Sequence, residues 1–198
     1  MSTQSISSTM STIPWHGIKK NHMSKLKKSG RRAELDASFR RADQYMNQGK
    51  FRSGFRIFLA AAKRDDRSSQ LNVGYCYDCG VGVRANRSAA LYWYKRAYRR
   101  GDAGAANNIG TIWRDEQNTR RALFWFQRAV ALGDQDSNLE IAKLYLRDRR
   151  DNRQAIPYLM LVCQSAHVTQ AAAEEARGLL RKLRNPNKSN KTKIKAPG

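Results

Sequence analysis

Tyr45, Tyr77, Trp113 and Tyr145 recur at steps of 32, 36 and 32 residues. Each stands three positions after a small residue: Ala42, Gly74, Gly110 and Ala142. A second set runs in phase with the first. Gly54, Ala90, Ala122 and Ala155 are separated by 36, 32 and 33 residues. Each is followed by a bulky pair: Ile57-Phe58, Trp93-Tyr94, Trp125-Phe126 and Tyr158-Leu159. A small residue or valine closes each set, at Ala61, Ala97, Ala129 and Val162. Periods of this length mark repeat architectures. A small residue lets two helix axes approach, and a large ring fills the space beside it. One helix pair cannot bury its own apolar face, but a stack of pairs buries a continuous core.

The punctuation predicts helices. Leu35, Phe39, Ala42, Tyr45 and Met46 form one apolar face from Glu34 onward. A second helix is expected over 51–64, with Phe51, Phe55, Phe58, Leu59 and Ala62 on its inner side. Asn86, Asn118 and Asp151 precede the later second helices as N-caps. Gly101-Asp102 and Gly133-Asp134 end second helices, the glycine turning the chain and the aspartate capping the next helix. Pro157 falls inside a second helix and is expected to bend it or delay its start. A last helix over 170–184, after Thr169, caps the stack. The expected fold is all-α: an α/α solenoid of about four helix-turn-helix repeats plus a C-terminal capping helix.

Charge divides the chain into three parts. Residues 1–32 hold no acid and seven bases: Lys19, Lys20, Lys25, Lys27, Lys28, Arg31 and Arg32. Residues 181–198 also hold no acid and seven bases. The middle holds all 16 acids, so most of the +22 net charge sits at the ends. The expected domains are a disordered basic arm at 1–32, a helical repeat domain at 33–184 and a disordered basic tail at 185–198. Such tails attract polyanions, nucleic acid among them. Three cysteines are few and odd for a disulfide scaffold, which points to a reducing, cytoplasmic setting. No run reaches the ~18 apolar residues of a membrane span, and the N-terminal stretch has no secretory h-region.

The stretch from Ser69 to Ala103 resembles the Sel-one-like repeat (SLR), a relative of the tetratricopeptide repeat. The matching positions are Ser69, Asn72, Val73, Gly74, Tyr77, Gly80, Gly82, Val83, Ala90, Trp93, Tyr94, Ala97 and Gly101. The next copy keeps Ala105, Asn108, Ile109, Gly110, Ala122, Trp125, Phe126, Ala129 and Gly133, with Trp113 in the tyrosine slot and the glycine loop deleted. The outer copies keep only the size pattern. The resemblance implies a solenoid with a concave protein-binding face and no chemistry of its own.

Candidate chemistry is sparse. Cys76-Tyr77-Asp78-Cys79 is a C-x-x-C, but Cys163, His16, His22 and His167 supply no second ligand pair, so no metal site follows. Gly80-Val81-Gly82 lacks the strand, third glycine and Gly-Lys-Ser/Thr of a phosphate loop. No Ser/His/Asp or paired-carboxylate motif is present. The chain is therefore expected to be non-enzymatic, without cofactor. Tyr92, Trp93, Tyr94, Trp125 and Phe126 have the spacing of core residues rather than a base-stacking platform. By analogy with the superfamily, the partner-binding groove comprises Leu71, Tyr75, Asn107, Thr111, Arg114, Lys143 and Arg147. Its three bases would suit an acidic peptide. The expected function is an adaptor or scaffold for an acidic peptide or protein. The alternative is a nucleic-acid-associated protein that grips phosphate through its tails.

Overall fold

The computed structural model describes residues 15–148 and 150–185, with side chains described from residue 29. The described residues form nine α-helices and no strand. They are α1 (Trp15–Asn47), α2 (Phe51–Lys63), α3 (Arg67–Cys79), α4 (Arg87–Tyr98), α5 (Ala103–Asp115), α6 (Thr119–Ala131), α7 (Ser137–Arg147), α8 (Asn152–Gln164) and α9 (Gln170–Arg184). The principal packing contacts join successive helices, α1 on α2 through to α8 on α9. That is the connectivity of a solenoid, in which each pair supports its neighbours. Odd-numbered helices open each repeat and even-numbered ones close it.

The spacing pattern maps onto the core. Phe58, Tyr94, Phe126 and Leu159, the second members of the bulky pairs, are all buried. So are the small residues beside them, among them Ala42, Ala90, Ala122, Ala142 and Ala155. Gly74 lies under the Tyr94 ring, where an added Cβ would overlap Cδ1 and Cε1. Gly110 lies under Phe126, where an added Cβ would stand 2.7 Å from the same ring atoms. Removing a ring such as Phe126 from this core costs about 3–5 kcal/mol.

The caps form as the sequence predicts. Asn86 accepts from the Ala89 amide at 3.0 Å, Asn118 from Arg121 at 3.1 Å and Asp151 from Gln154 at 3.1 Å. Asp102 caps α5 through the Ala105 amide at 2.9 Å, and Thr169 caps α9 through Ala172 at 3.3 Å. Gly101 and Gly133 take positive φ, at 80° and 100°. Asp134 departs from expectation. The turn after α6 runs on, and α7 starts only at Ser137. Asp134 is thus out of reach of the first-turn amides and accepts from the Ser137 hydroxyl at 2.7 Å instead. Asp136 occupies the cap position of α7 but makes no capping bond, because its own backbone is already helical (φ −64°, ψ −28°).

Two further differences have physical causes. The helix α1 begins at Trp15, well inside the segment expected as a disordered arm. Lys, Leu, Met and Arg, all good helix formers, fill half of residues 15–32. Residues 1–14 of the expected arm and 186–198 of the expected tail lie outside the described residues. Pro157 does not delay α8, which starts at Asn152 and continues through it. The carbonyl left without an amide partner belongs to Arg153, which is exposed to water. The glycine loop of the second copy serves packing. Gly82 (φ 72°) backs onto the Phe51 carbonyl, leaving no room for a Cβ. Val81 and Val83 pack against the first core cluster.

Acids tie α1 to the end of α2 within the first repeat and, further along, one repeat to the next. Glu34 pairs with Arg64 at 2.5 Å, Asp65 with Arg96 at 2.5 Å and Glu116 with Arg87 at 3.0 Å. Asp148 accepts from the Thr119 hydroxyl at 2.5 Å, and Asp136 from the Thr169 amide at 2.9 Å. These contacts are exposed to solvent, which screens them, so each contributes little to stability. Their value is register, since all but the Glu34–Arg64 pair fix how one repeat sits on the next.

Candidate functional site: the first-helix face

The odd-numbered helices α5, α7 and α9 expose two adjoining clefts. One is lined by Asn107, Thr111, Arg114, Glu140, Lys143 and Glu175, among others. The other shares Arg114, Glu140, Lys143 and Glu175, reaches Arg147 and Leu179, and encloses about 650 Å³. Five of the seven expected groove residues thus come together: Asn107, Thr111, Arg114, Lys143 and Arg147. Leu71 and Tyr75, on α3, line neither cleft. Leu71 packs against the second core cluster, and Tyr75 stands exposed.

Arg114 lies in the last turn of α5, facing Glu140 in the first turn of α7. Its Nη1 donates to Glu140 Oε2 at 2.5 Å, while Nε and Nη2 both reach Asp115 Oδ1 at 3.1 Å. Lys143 Nζ, one turn beyond Glu140, bridges Glu140 at 3.1 Å and Glu175 of α9 at 2.9 Å. Arg147 closes α7 and holds Asp148 at 2.5 Å. Burial opposes the charged forms of Arg114 and Lys143, but their carboxylate partners outweigh it and hold both pKa values above the usual range. The hydrogen bond from Arg147 holds the Asp148 carboxyl below the usual aspartate range.

The face is therefore not a bare basic strip. Arg114, Lys143 and Arg147 are interleaved with Asp115, Glu140, Glu175 and Asp148, so both signs alternate across it. Asn107 is also engaged. Its Nδ2 donates to Asp134 at 3.0 Å and to the buried Ser137 hydroxyl at 2.8 Å, clasping α5 to the turn before α7. Thr111 makes no side-chain bond of this kind and lies open in the first cleft. Sequence reasoning missed these acids although Asp115 and Asp148 directly follow their arginines; only the Arg114–Glu140 and Lys143–Glu175 pairs join different helices. A signal existed: Glu140 and Lys143 are three residues apart, a helical pairing distance.

Among the described residues no group of three His, Cys, Asp or Glu side chains could hold a metal ion. Cys76 is buried and Cys79 exposed, so the C-x-x-C presents one accessible thiol. Burial pushes the Cys76 thiol up to about 11. No described helix is long and apolar enough to cross a membrane.

This geometry is similar to that of known proteins. A model of the Sel1 repeat matches residues 67–102 and 105–134. The fold is similar to that of c5321, a protective antigen present in uropathogenic Escherichia coli strains displaying an SLR fold. That match has a TM-score of 0.64 at 16% identity, over 79% of this chain and 36% of that one. It is also similar to MamA, with a TM-score of 0.55 at 18% identity over 83% and 97% of the two chains. A Sel1 repeat protein from Oxalobacter formigenes is 25% identical, with a TM-score of 0.49 over 56% and 47%. The chain spans less than half the length of the Oxalobacter and uropathogenic Escherichia coli proteins. The two matched Sel1 repeats fall on α3–α4 and α5–α6, inside a solenoid that continues on both sides.

Proposed function

We propose that this protein is a non-enzymatic scaffold that holds a peptide segment of a partner protein across α5, α7 and α9. Sel1 repeats are protein-binding units, and the family is generally without catalysis. The observation that carries the reading is the pair of joined clefts in which Arg114, Glu140, Lys143 and Glu175 are already locked in place. Pre-set side chains lose little entropy when a ligand arrives, which favours recognition.

The ion pairs refine the partner's chemistry. An acidic peptide, the expectation from the sequence, must take Arg114 or Lys143 away from Glu140. A segment carrying a carboxylate next to a base meets both signs without breaking the network. We therefore assign the face to a mixed-charge segment, its acid toward Arg114 and Arg147 and its base toward Glu140 and Glu175. A photo-crosslinking residue placed at Thr111 tests this in the full chain after nuclease treatment. A discrete cross-linked partner protein from Thr111, and none from the same residue at Gln127 on α6, is the expected result. Equal yields from both positions would overturn it.

A further inference from the structure

The even-numbered helices carry a different chemistry. Over α2, α4, α6 and α8 there is not a single Asp or Glu. The same helices hold Arg52, Arg56, Lys63, Arg87, Lys95, Arg96, Arg120, Arg121, Arg128 and Arg153. The body's acids all lie on the opening helices or in turns. Its modest net charge therefore conceals one mixed face and one predominantly cationic face, on which Asp65 and Glu116 reach in from turns to pair with Arg96 and Arg87.

Exposed rings are set among these cations, and they repeat. Tyr92 of α4 and Phe124 of α6 stand 32 residues apart and are 53% and 45% exposed. Each has an arginine one turn later lying over it: Arg96 at 5.9 Å from the Tyr92 ring centre, Arg128 at 3.4 Å from that of Phe124. Each packs edge-on against the next residue, Trp93 at 5.2 Å and Trp125 at 5.5 Å, which holds the ring upright. Phe124 borders an open cleft of about 740 Å³ lined also by Leu91, Lys95, Trp113, Arg120, Arg121 and Trp125, and Tyr92 borders a smaller one with Asp65, Arg96, Arg99 and Arg100. Arg121 lies 4.3 Å above the Trp113 ring centre. Lys95, Arg99, Arg120 and Arg121 make no ion pair among the described residues.

We propose that this face of α4 and α6 binds single-stranded nucleic acid, with bases stacking on Tyr92 and Phe124 and phosphates held by Lys95, Arg99, Arg120 and Arg121. Stacking platforms interleaved with cations are what a single strand requires, because every base offers a π-face and every linkage a charge. An acidic peptide would use the cations but leave the two rings without purpose. The proposal is independent of the peptide reading, which concerns the opposite helices.

The test is fluorescence anisotropy of the full chain with labelled single strands of about 12 nucleotides, a length within the usual site size. Oligouridine and oligothymidine arms distinguish RNA from DNA. Tyr92→Ala/Phe124→Ala should weaken binding about tenfold or more, with the salt slope unchanged. Lys95→Glu/Arg120→Glu/Arg121→Glu should weaken binding and flatten the log–log salt slope by about 2. Circular dichroism melts check that both variants remain folded, and quenching of tryptophan emission by the strand gives a second readout at Trp113 and Trp125. Variants that bind within about twofold of wild type would overturn the proposal and leave any affinity to the terminal bases. So would equal, ring-independent binding of a duplex, or ring-dependent binding of polyglutamate in place of the strands.

Discussion

The Tyr94 ring packs against Gly74 so closely that no Cβ fits between them. This contact brings α3 and α4 together in the best-matched repeat. Gly74→Ala should therefore cost about 1–3 kcal/mol in overpacking. Gly178 is the control. It lies inside α9 with nothing within 4 Å of an added Cβ. Gly178→Ala should stabilise by about 0.5–1 kcal/mol through helix propensity alone. Urea titration of both variants reads opposite signs from one chemical change.

Asn118 makes the capping bond of α6, in a repeat whose glycine loop is gone. Asn118→Ala should lose about 1 kcal/mol, and Asn118→Asp should retain the cap. Asp136, by contrast, makes no capping bond at its helix start. Its substitution should act through the lost Thr169 contact rather than on α7, which hydrogen exchange of α7 and α9 amides separates.

Cys76 and Cys79 should differ in reactivity although only three residues apart. The buried Cys76, raised to about 11, holds almost no thiolate near neutral pH. Cys79 is exposed and Cys163 half-buried. In the native protein an aromatic disulfide reagent should modify Cys79 first and leave Cys76 untouched. In denaturant all three should react.

Two aspartates should respond to acid with opposite signs. The hydrogen bond from Arg96 holds the Asp65 carboxyl low, so its contribution is present above the unfolded aspartate range of about 4 and lost as pH falls below it. Burial raises the Asp78 carboxyl, so the folded state prefers it protonated. Its contribution is fully present below the unfolded pKa and is lost as pH rises through the folded one. Asp78→Asn should thus raise the melting temperature at neutral pH, with a gain that vanishes in acid. Asp65→Asn should lower it at neutral pH and converge with wild type in acid. Melts between about pH 3 and 7 cover both windows.

The fold was legible because its information is local. Gly74, Gly110 and the rings of Tyr94 and Phe126 recur at fixed steps, and a packing rule reads them without knowing the partner helix. The charged contacts were not legible in this way. Arg114 and Glu140 lie 26 residues apart, and no local pattern marks them as a pair. Counting the bases of the groove without its acids made a mixed face look basic. Tyr92 was expected with the core rings, yet its neighbours Trp93 and Tyr94 take the buried positions and turn it outward. The acid-free closing helices could have been read helix by helix, but a tally over the whole body averages them away.

A charge swap across the Arg114–Glu140 pair tests the central claim most directly. Arg114→Glu with Glu140→Arg keeps an ion pair between α5 and α7 and reverses its polarity on the face. Quantitative affinity capture of the full chain, with nuclease, should show the Thr111-cross-linked partner lost from the swap while Tyr92→Ala/Phe124→Ala retains it. The same partner at the same yield from the folded swap variant would contradict the claim that this face is where the protein is read.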